Sequence, residues 1–367
     1  MPFTAIDHHH MRRAIELAWL GRFSTHPNPR VGCVIAQGER IVGEGWHRQA
    51  GQAHAEVLAL RAAGDAAKGA TAYVTLEPHG FHGKTPPCTE ALIRAGIVRV
   101  VCAVLDPNPK VHGDGIRQLQ QAGVRCDVGL LAEDAAALNR GFDQRMRTGL
   151  PRVTVKVAAT LDGRTALANG ASQWITGEAA RADVQRLRAA ASAIVTGVQT
   201  VIADDPQLNV RDASLDLAGR APLRVILDTQ LRTSPAAKVF STQGGVIVAT
   251  ACDDATRAEA LRGAGAEVLR VGADAQGRVS LPEVLRELGR RECNDVLVEA
   301  GSELSGEIIA QGLCDELIVY LAPKLFGPDA RPLFALPALQ RVQDSLQFQF
   351  LGAEPIGPDL KLTLMRV

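Results

Sequence analysis

The sequence has no run of about 18 consecutive apolar residues, so no membrane-spanning helix is expected. Neither charge sign predominates: 40 Lys and Arg balance 40 Asp and Glu. A nucleic-acid binder carries a basic excess to meet phosphates, so the balance argues against one, although a local basic pocket for a single phosphate stays open. Cysteine is sparse, with seven residues, an odd number, scattered from Cys33 to Cys314. Such spacing is not a disulfide framework, and most of these thiols are expected to act as small buried apolar groups. The N-terminal MPFTAIDHHHMRRAIELAW lacks a signal peptide's apolar core and cleavage site, which makes a cytoplasmic location the expectation. There is no internal repeat, no Gly-x-Gly-x-x-Gly fingerprint and no short Pro-Cys-x-x-Cys.

What is present suits two domains of ordinary size: 367 residues, of which 46% are apolar. Residues 8–21 carry Met11, Ile15, Ala18 and Trp19 at helical spacing, closed by Gly21. Short apolar strands then alternate with helical segments: VGCVIA, IVGEGWH, a helix from about His54 to Gly64, TAYVTLEP, PPCTEALIRAG and VRVVCAVLDP. Alternation on this scale indicates a layered α/β domain. The charged segment NRGFDQRMRTGLPR, with its Gly and Pro, reads as a boundary near residue 148, dividing the chain into 1–147 and 148–367. Beyond it the α/β pattern restarts, through VTVKVAATLDG, PLRVILDT, GGVIVAT and NDVLVEAG to the C-terminal DLKLTLMRV.

Three pieces of the first half carry chemistry: H54-A-E56, P78-H79 and P87-C88. A hydrolytic zinc site needs three protein ligands and an open position for water, plus a carboxylate that is not a ligand to move protons. The signature of zinc deaminases is His-x-Glu followed by Pro-Cys-x-x-Cys. His54 is then a ligand, Glu56 the proton shuttle, and Cys88 a thiolate ligand at a helix start. An isolated His-x-Glu is common by chance. The order of three pieces at strand and helix starts is what gives it weight.

The run PNPRVGCVI, HAEVLAL, TLEPHGFHGKTPPCTEAL and DPNP resembles the deaminase domain of the bifunctional riboflavin-biosynthesis deaminase/reductases. In that family a long HGKTPP-type loop separates the second and third zinc ligands. The resemblance implies a cytidine-deaminase-like three-layer α/β/α domain that binds Zn²⁺. It implies that Asn28, His82, Lys84, Asp106 and Asn108 contact a phosphoribosylated pyrimidine. Lys84 stands where the family often has Arg, and it lacks the bidentate fork. The departure is His79, where family members usually have Cys. Three readings stay open: His79 is a ligand, the site is impaired and the chain is only a reductase, or His82 substitutes as the ligand.

The second half carries KVAATLDGRTALANGASQWITG, RADVQRLRAAASAIVTGVQTVIADDPQLNVR, VEAGSELSGEII and DELIVYLAPKLFG, which are similar to the same family's reductase domain. That implies a dihydrofolate-reductase-like α/β fold using NADPH. Substrate contacts are then expected at Ser172, Arg188, Leu208, Arg211 and Glu299, with Arg188 and Arg211 as partners of a 5′-phosphate. Cofactor contacts are expected at Ala158, Trp174, Thr176, Thr200, Asp204, Thr229 and the turn Gly301, Ser302, Glu303, Leu304, Ser305 and Gly306. Trp174 read from its residue type alone suits core packing equally well, and Asp204 a helix cap. Lys156 is a candidate proton donor. The resemblance also implies a homo-oligomer, a dimer or tetramer.

Overall fold

Thr4 starts the first helix, α1 (Ala5–Trp19). Its hydroxyl accepts the Asp7 N–H, while the Asp7 carboxylate accepts the Thr4 N–H. This reciprocal cap satisfies two orphan donors of the first turn. The helix therefore begins before residue 8, where the apolar spacing starts, and the histidine run lies inside it. The computed structural model describes residues 2–83, 86–109 and 111–367, so Lys84 lies outside the described residues. Two compact units are present, Met1–Gly149 and Leu150–Val367, each built on its own sheet.

The first unit continues with β1 (Gly32–Gln37), β2 (Arg40–Trp46), α2 (Ala55–Ala63), β3 (Thr71–Val74), α3 (Cys88–Arg94), β4 (Arg99–Cys102), α4 (Asp114–Gln121), β5 (Arg125–Val128), α5 (Ala132–Leu138) and α6 (Arg140–Thr148). The strand order is β2-β1-β3-β4-β5; β1 is antiparallel to both neighbours, and the β3–β4 and β4–β5 pairs are parallel. Alternation along β1 sends Cys33 and Ile35 into a core with Ala55, Ala59, Leu92 and Ile116. Val34 and Ala36 face the opposite core, with Met11, Leu17, Leu130 and Ala135. The sheet is thus covered on both faces, giving the three-layer arrangement. α2 packs hard onto β2: a Cβ at Gly45 would collide with the Ala55 carbonyl, so only glycine admits the helix at this depth. The charged stretch read as the boundary forms α6, which ends just before the units divide. Gly141 and Phe142 bury one face, and Arg147 pairs with Asp143 at 2.8 Å on the other.

The second unit holds β6 (Arg152–Thr160), β7 (Arg164–Ala166), α7 (Glu178–Ala190), β8 (Ala193–Gly197), α8 (Val198–Asp204), β9 (Leu223–Leu227), β10 (Val246–Thr250), α9 (Ala255–Gly263), β11 (Ala266–Arg270), α10 (Leu281–Arg290), β12 (Asp295–Glu299), α11 (Ser302–Ala310), β13 (Glu316–Ala322), β14 (Arg331–Pro332), β15 (Phe348–Ile356) and β16 (Asp359–Arg366). The nine-stranded sheet runs β11-β10-β9-β8-β12-β6-β13-β16-β15. It is parallel up to β13, and β16 and β15 add antiparallel strands at one edge. One face is packed by α10 and α11 through Val155, Val195, Leu288 and Ile308. The other face packs Ile194, Val201, Ile226 and Leu261. β15 is interrupted by Gly352 and Pro355 and shows little alternation of burial, which is why its sequence gives no strand signal.

Asp7 does more than cap α1. It is 2% exposed and accepts from Arg99 at 2.7 Å and from the Tyr73 hydroxyl at 2.8 Å, tying α1 to β3 and β4. Burial alone would raise its pKa; the hydrogen bonds from Arg99, the Thr4 N–H and Tyr73 outweigh that and hold the carboxyl well below the usual carboxylate range. Because the folded pKa is depressed, this stabilisation is present above the unfolded value and is lost as pH falls through the folded value. Asp7→Asn is expected to cost about 3 kcal/mol at neutral pH. In thermal melts the wild type should lose stability more steeply than this variant as the pH drops below about 4.

Candidate active sites

In the first unit, backbone geometry brings three distant residues together. His54 is the residue before α2, and Cys88 is the first residue of α3. The start of α3 is tied to His79: the Cys88 and Thr89 N–H groups donate to the His79 carbonyl at 3.0 and 3.4 Å. The ligand atoms of His54, His79 and Cys88 all lie within 4.8 Å of one another. Cys88 Sγ is 3.4 Å from His54 Nδ1, and the two imidazole centroids are 4.6 Å apart. Nitrogen and sulfur bound tetrahedrally to one zinc ion, at about 2.0–2.1 and 2.3 Å, sit roughly 3.6 Å apart. The donor set therefore fits a zinc ion with three protein ligands. His82 is exposed and does not belong to the cluster.

Electrostatics fit the same use. Burial, with His79 and His47 nearby, pushes His54 down to about 4, so its imidazole is neutral as a ligand requires. Glu56 is 3% exposed in the first turn of α2. Burial pushes its carboxyl up, against its own N–H and Cys88. A carboxyl raised in this way suits proton relay near neutral pH. Burial and the Glu56 carboxylate also push the Cys88 thiol up. Coordination to a metal ion would deprotonate it, as a thiolate ligand requires.

Three residues that sequence reasoning did not single out hold this site. His47 is 3% exposed; its Nδ1 lies 3.3 Å from the Ala53 carbonyl and its Nε2 3.1 Å from Asn28 Nδ2. A carbonyl only accepts, so Nδ1 carries the proton and Nε2 accepts from Asn28. The Asn28 side chain is thereby oriented. Glu77 is 4% exposed and accepts backbone N–H groups from Asp106, Gly113 and Ile116 at 3.2, 2.9 and 3.2 Å. Gln118 donates to the Gly80 carbonyl at 2.9 Å and accepts from Thr89 at 3.0 Å. Glu77 thus anchors the DPNP turn, in which Asp106 accepts the Asn108 N–H at 2.8 Å. A Cβ at Gly115 would collide with the Pro78 carbonyl, so α4 reaches this loop only through a glycine.

The second unit contains a cavity of about 1360 Å³. The residues ending β8, β9 and β12 converge on it, as ligand sites of parallel sheets do. All five expected substrate contacts line it: Ser172, Arg188, Leu208, Arg211 and Glu299. So do Ala158, Trp174, Thr176, Thr200, Asp204, Thr229, Gly301, Ser302, Glu303 and Leu304. Ser305 and Gly306 do not. The turn of α11 points Ser305 back to the Ala300 carbonyl and packs Gly306 against Ala335. Trp174 is 64% exposed, so it is not core packing; Arg181 stacks on it 4.7 Å from the ring centroid. Leu208 has φ 50°, a strained conformation for a leucine, and is buried in the wall.

The charged centre of this cavity is Glu299, 9% exposed. Arg188 donates to it twice, at 2.6 and 3.0 Å, and Lys156 once, at 3.4 Å. Burial would raise the Glu299 pKa, but Arg188 and Lys156 hold it down at about 2. The third Arg188 bond goes to the Asn209 carbonyl at 3.0 Å. Arg188, expected as a phosphate partner, therefore spends its fork on Glu299, and Arg211 remains as an exposed cation of the wall. Tyr320 also lines the cavity, its hydroxyl donating to Asp183 at 2.6 Å. These geometries would accept an anionic ligand beside a flat ring, and the described residues include no helix long and apolar enough to cross a membrane.

The two sites define a class: a zinc deaminase fold joined in one chain to a dihydrofolate-reductase-like domain. Residues 4–104 match the cytidine and deoxycytidylate deaminase zinc-binding region, and residues 151–362 match the RibD C-terminal domain. The chain is 48% identical to riboflavin biosynthesis protein RibD of Escherichia coli K12, over 98% of this chain and 99% of that protein. It is 47% identical to RibD of Haemophilus influenzae, over 99% and 98%. Among solved structures, RibD of Acinetobacter baumannii superposes with a TM-score of 0.91 at 44% identity, covering 99% of both chains. A deaminase/reductase of Thermotoga maritima superposes at 0.86 and 33% identity, again covering 99% of each. The chain belongs to the RibD family of riboflavin-biosynthesis proteins, with a zinc-binding deaminase domain and an NADPH-type reductase domain.

Glu77→Gln keeps the side-chain shape but puts an amide where three N–H donors meet. It is expected to cost about 2–3 kcal/mol by leaving buried donors unpaired. Melting of the first unit should fall accordingly, and the deaminase KM should rise more than kcat falls.

Proposed function

We propose that this chain catalyses both steps named for its Thermotoga maritima relative, acting first as a diaminohydroxyphosphoribosylaminopyrimidine deaminase and then as a 5-amino-6-(5-phosphoribosylamino)uracil reductase. The observation that carries the first step is the approach of His54, His79 and Cys88 with Glu56 buried beside them. Those three side chains would hold a zinc ion, which would supply a water acidic enough to be nucleophilic near neutral pH. Glu56 takes the proton from that water, hands it to the ring nitrogen, and then serves the departing amine. Its raised pKa lets it both accept and release that proton. Asn28, Asp106 and Asn108 are assigned to the substrate, with His47 orienting Asn28.

The second step uses the cavity around Glu299. The cavity would hold NADPH, which would supply the hydride that reduces the ribose C1′ of the opened ribosylamine. Glu299 stays ionised, accepts from the sugar hydroxyls and orients Lys156, and Lys156 delivers the proton. Arg211 takes the phosphate, while Trp174, Thr200, Asp204, Thr229 and the Gly301–Leu304 turn hold the cofactor. We also propose that the chain works in the cytoplasm as a homo-oligomer, a dimer or tetramer.

Variants separate the steps. Glu56→Gln should reduce ammonia release by roughly 10²–10⁴-fold while NADPH oxidation with the deaminated substrate is kept. Lys156→Met should do the reverse. If the zinc-loaded wild type oxidises NADPH with the deaminated substrate but releases no ammonia, the first unit is structural and the bifunctional reading fails. The pH profile gives a further check. Burial pushes Asp106 up to about 6, against the Asn108 N–H, with Glu77 raising it further and His112 opposing. Below that pH its carboxylate is lost to the substrate, so kcat/KM for deamination should fall on acidification with an apparent pKa near 6. Asp106→Asn should lower the plateau and remove that limb.

A further inference from the structure

Zinc deaminases of this kind hold their metal with one imidazole and two thiolates, or with three thiolates. Here residue 79 is an imidazole, and the question is whether another thiol makes up the difference. None does among the described residues. The metal-ligating group contains a single cysteine, Cys88. Cys33 and Cys102 lie on the same sheet face but are fully buried among Ala55, Ala59 and Leu92 in the core. Nor does His79 swing aside: its carbonyl holds the start of α3 by two hydrogen bonds, and its ring lies 4.6 Å from that of His54.

We propose that His79 makes the deaminase centre a two-imidazole, one-thiolate site whose metal preference is shifted away from thiophilic ions and towards ions that imidazole holds well. This rests on the deaminase reading above and extends it to the metal. Two thiolates would cancel the charge of a divalent ion; one leaves the centre a unit more positive. Soft sulfur ligands select soft ions, whereas imidazole suits zinc, nickel and copper. Zinc remains the natural occupant, but nickel competes better and cadmium, a softer ion, worse than at a two-thiolate site. Glu56 then works beside a more strongly polarising centre.

The test uses the full chain, stripped of metal and reloaded with zinc, and X-ray absorption at the zinc edge. The wild type should show one sulfur neighbour at about 2.3 Å and two imidazole nitrogens at about 2.0–2.1 Å. His79→Ala should lose one nitrogen. His79→Cys should gain a second sulfur, and its cadmium-to-nickel affinity ratio should rise at least about tenfold, since even outer partners of a ligand shift metal affinity by 10–100-fold. If His79→Ala does not fold, Cys88→Ser carries the test, because its zinc shell must then contain no sulfur. A wild-type shell with two sulfurs, or an unchanged shell in His79→Ala, overturns the inference while leaving the deaminase reading intact. A wild type that takes up no zinc and releases no ammonia overturns both.

Discussion

A carboxylate taken out of water must find its hydrogen-bond donors inside the protein, and much of this molecule is arranged around that need. Asp7 draws Thr4, Tyr73 and Arg99 together and so fixes α1 to the sheet. Glu77 draws three backbone N–H groups and so fixes the turn that carries Asp106 and Asn108. Glu299 draws Arg188 and Lys156 into the reductase cavity. Each is worth less as an attraction than as a constraint, since removing one partner strands a buried charge. The positions of the reacting groups follow from those constraints.

The two units solve the same problem with different sheets. In the first, a glycine on β2 lets α2 descend until its start, with His54 and Glu56, meets the start of α3. In the second, the ends of parallel strands and the turn before α11 open a cavity with one strongly ionised carboxylate at its centre. One site thus collects metal ligands and a carboxyl that can hold a proton. The other collects fixed charges that bind and orient. That division matches hydrolysis in the first unit and hydride transfer in the second.

His79 shows how a ligand position tolerates a change of element. What positions it is its own carbonyl, bound to the start of α3, and that bond is indifferent to the side chain. The backbone is thus held alike for either side chain, while the imidazole reaches further from it than a thiolate would and changes the charge and softness of the site.

Much of the site was legible in the sequence. Period-two alternation, helix starts and the spacing of His54, Glu56, His79 and Cys88 pointed to a layered fold and a metal centre, because these are local patterns. Resemblance named the cavity residues, and most of them do line one cavity. Other features could not be read that way. The helix at 140–148 gave no helical signal because its buried face is only two residues wide. Ser305 and Gly306 belong to the expected turn in sequence but point elsewhere, since a helix rotates each successive residue. Glu77 and His47 carry no motif; their roles exist only because residues 29 and 19 positions away fold against them. By itself the sequence determined the elements, the kinds of ligand and the family. Only the tertiary structure decided that His79 rather than His82 joins the cluster and that Arg188 meets Glu299 in the cavity wall. Those outcomes depend on which polar groups meet once water is excluded, and chain order does not encode that.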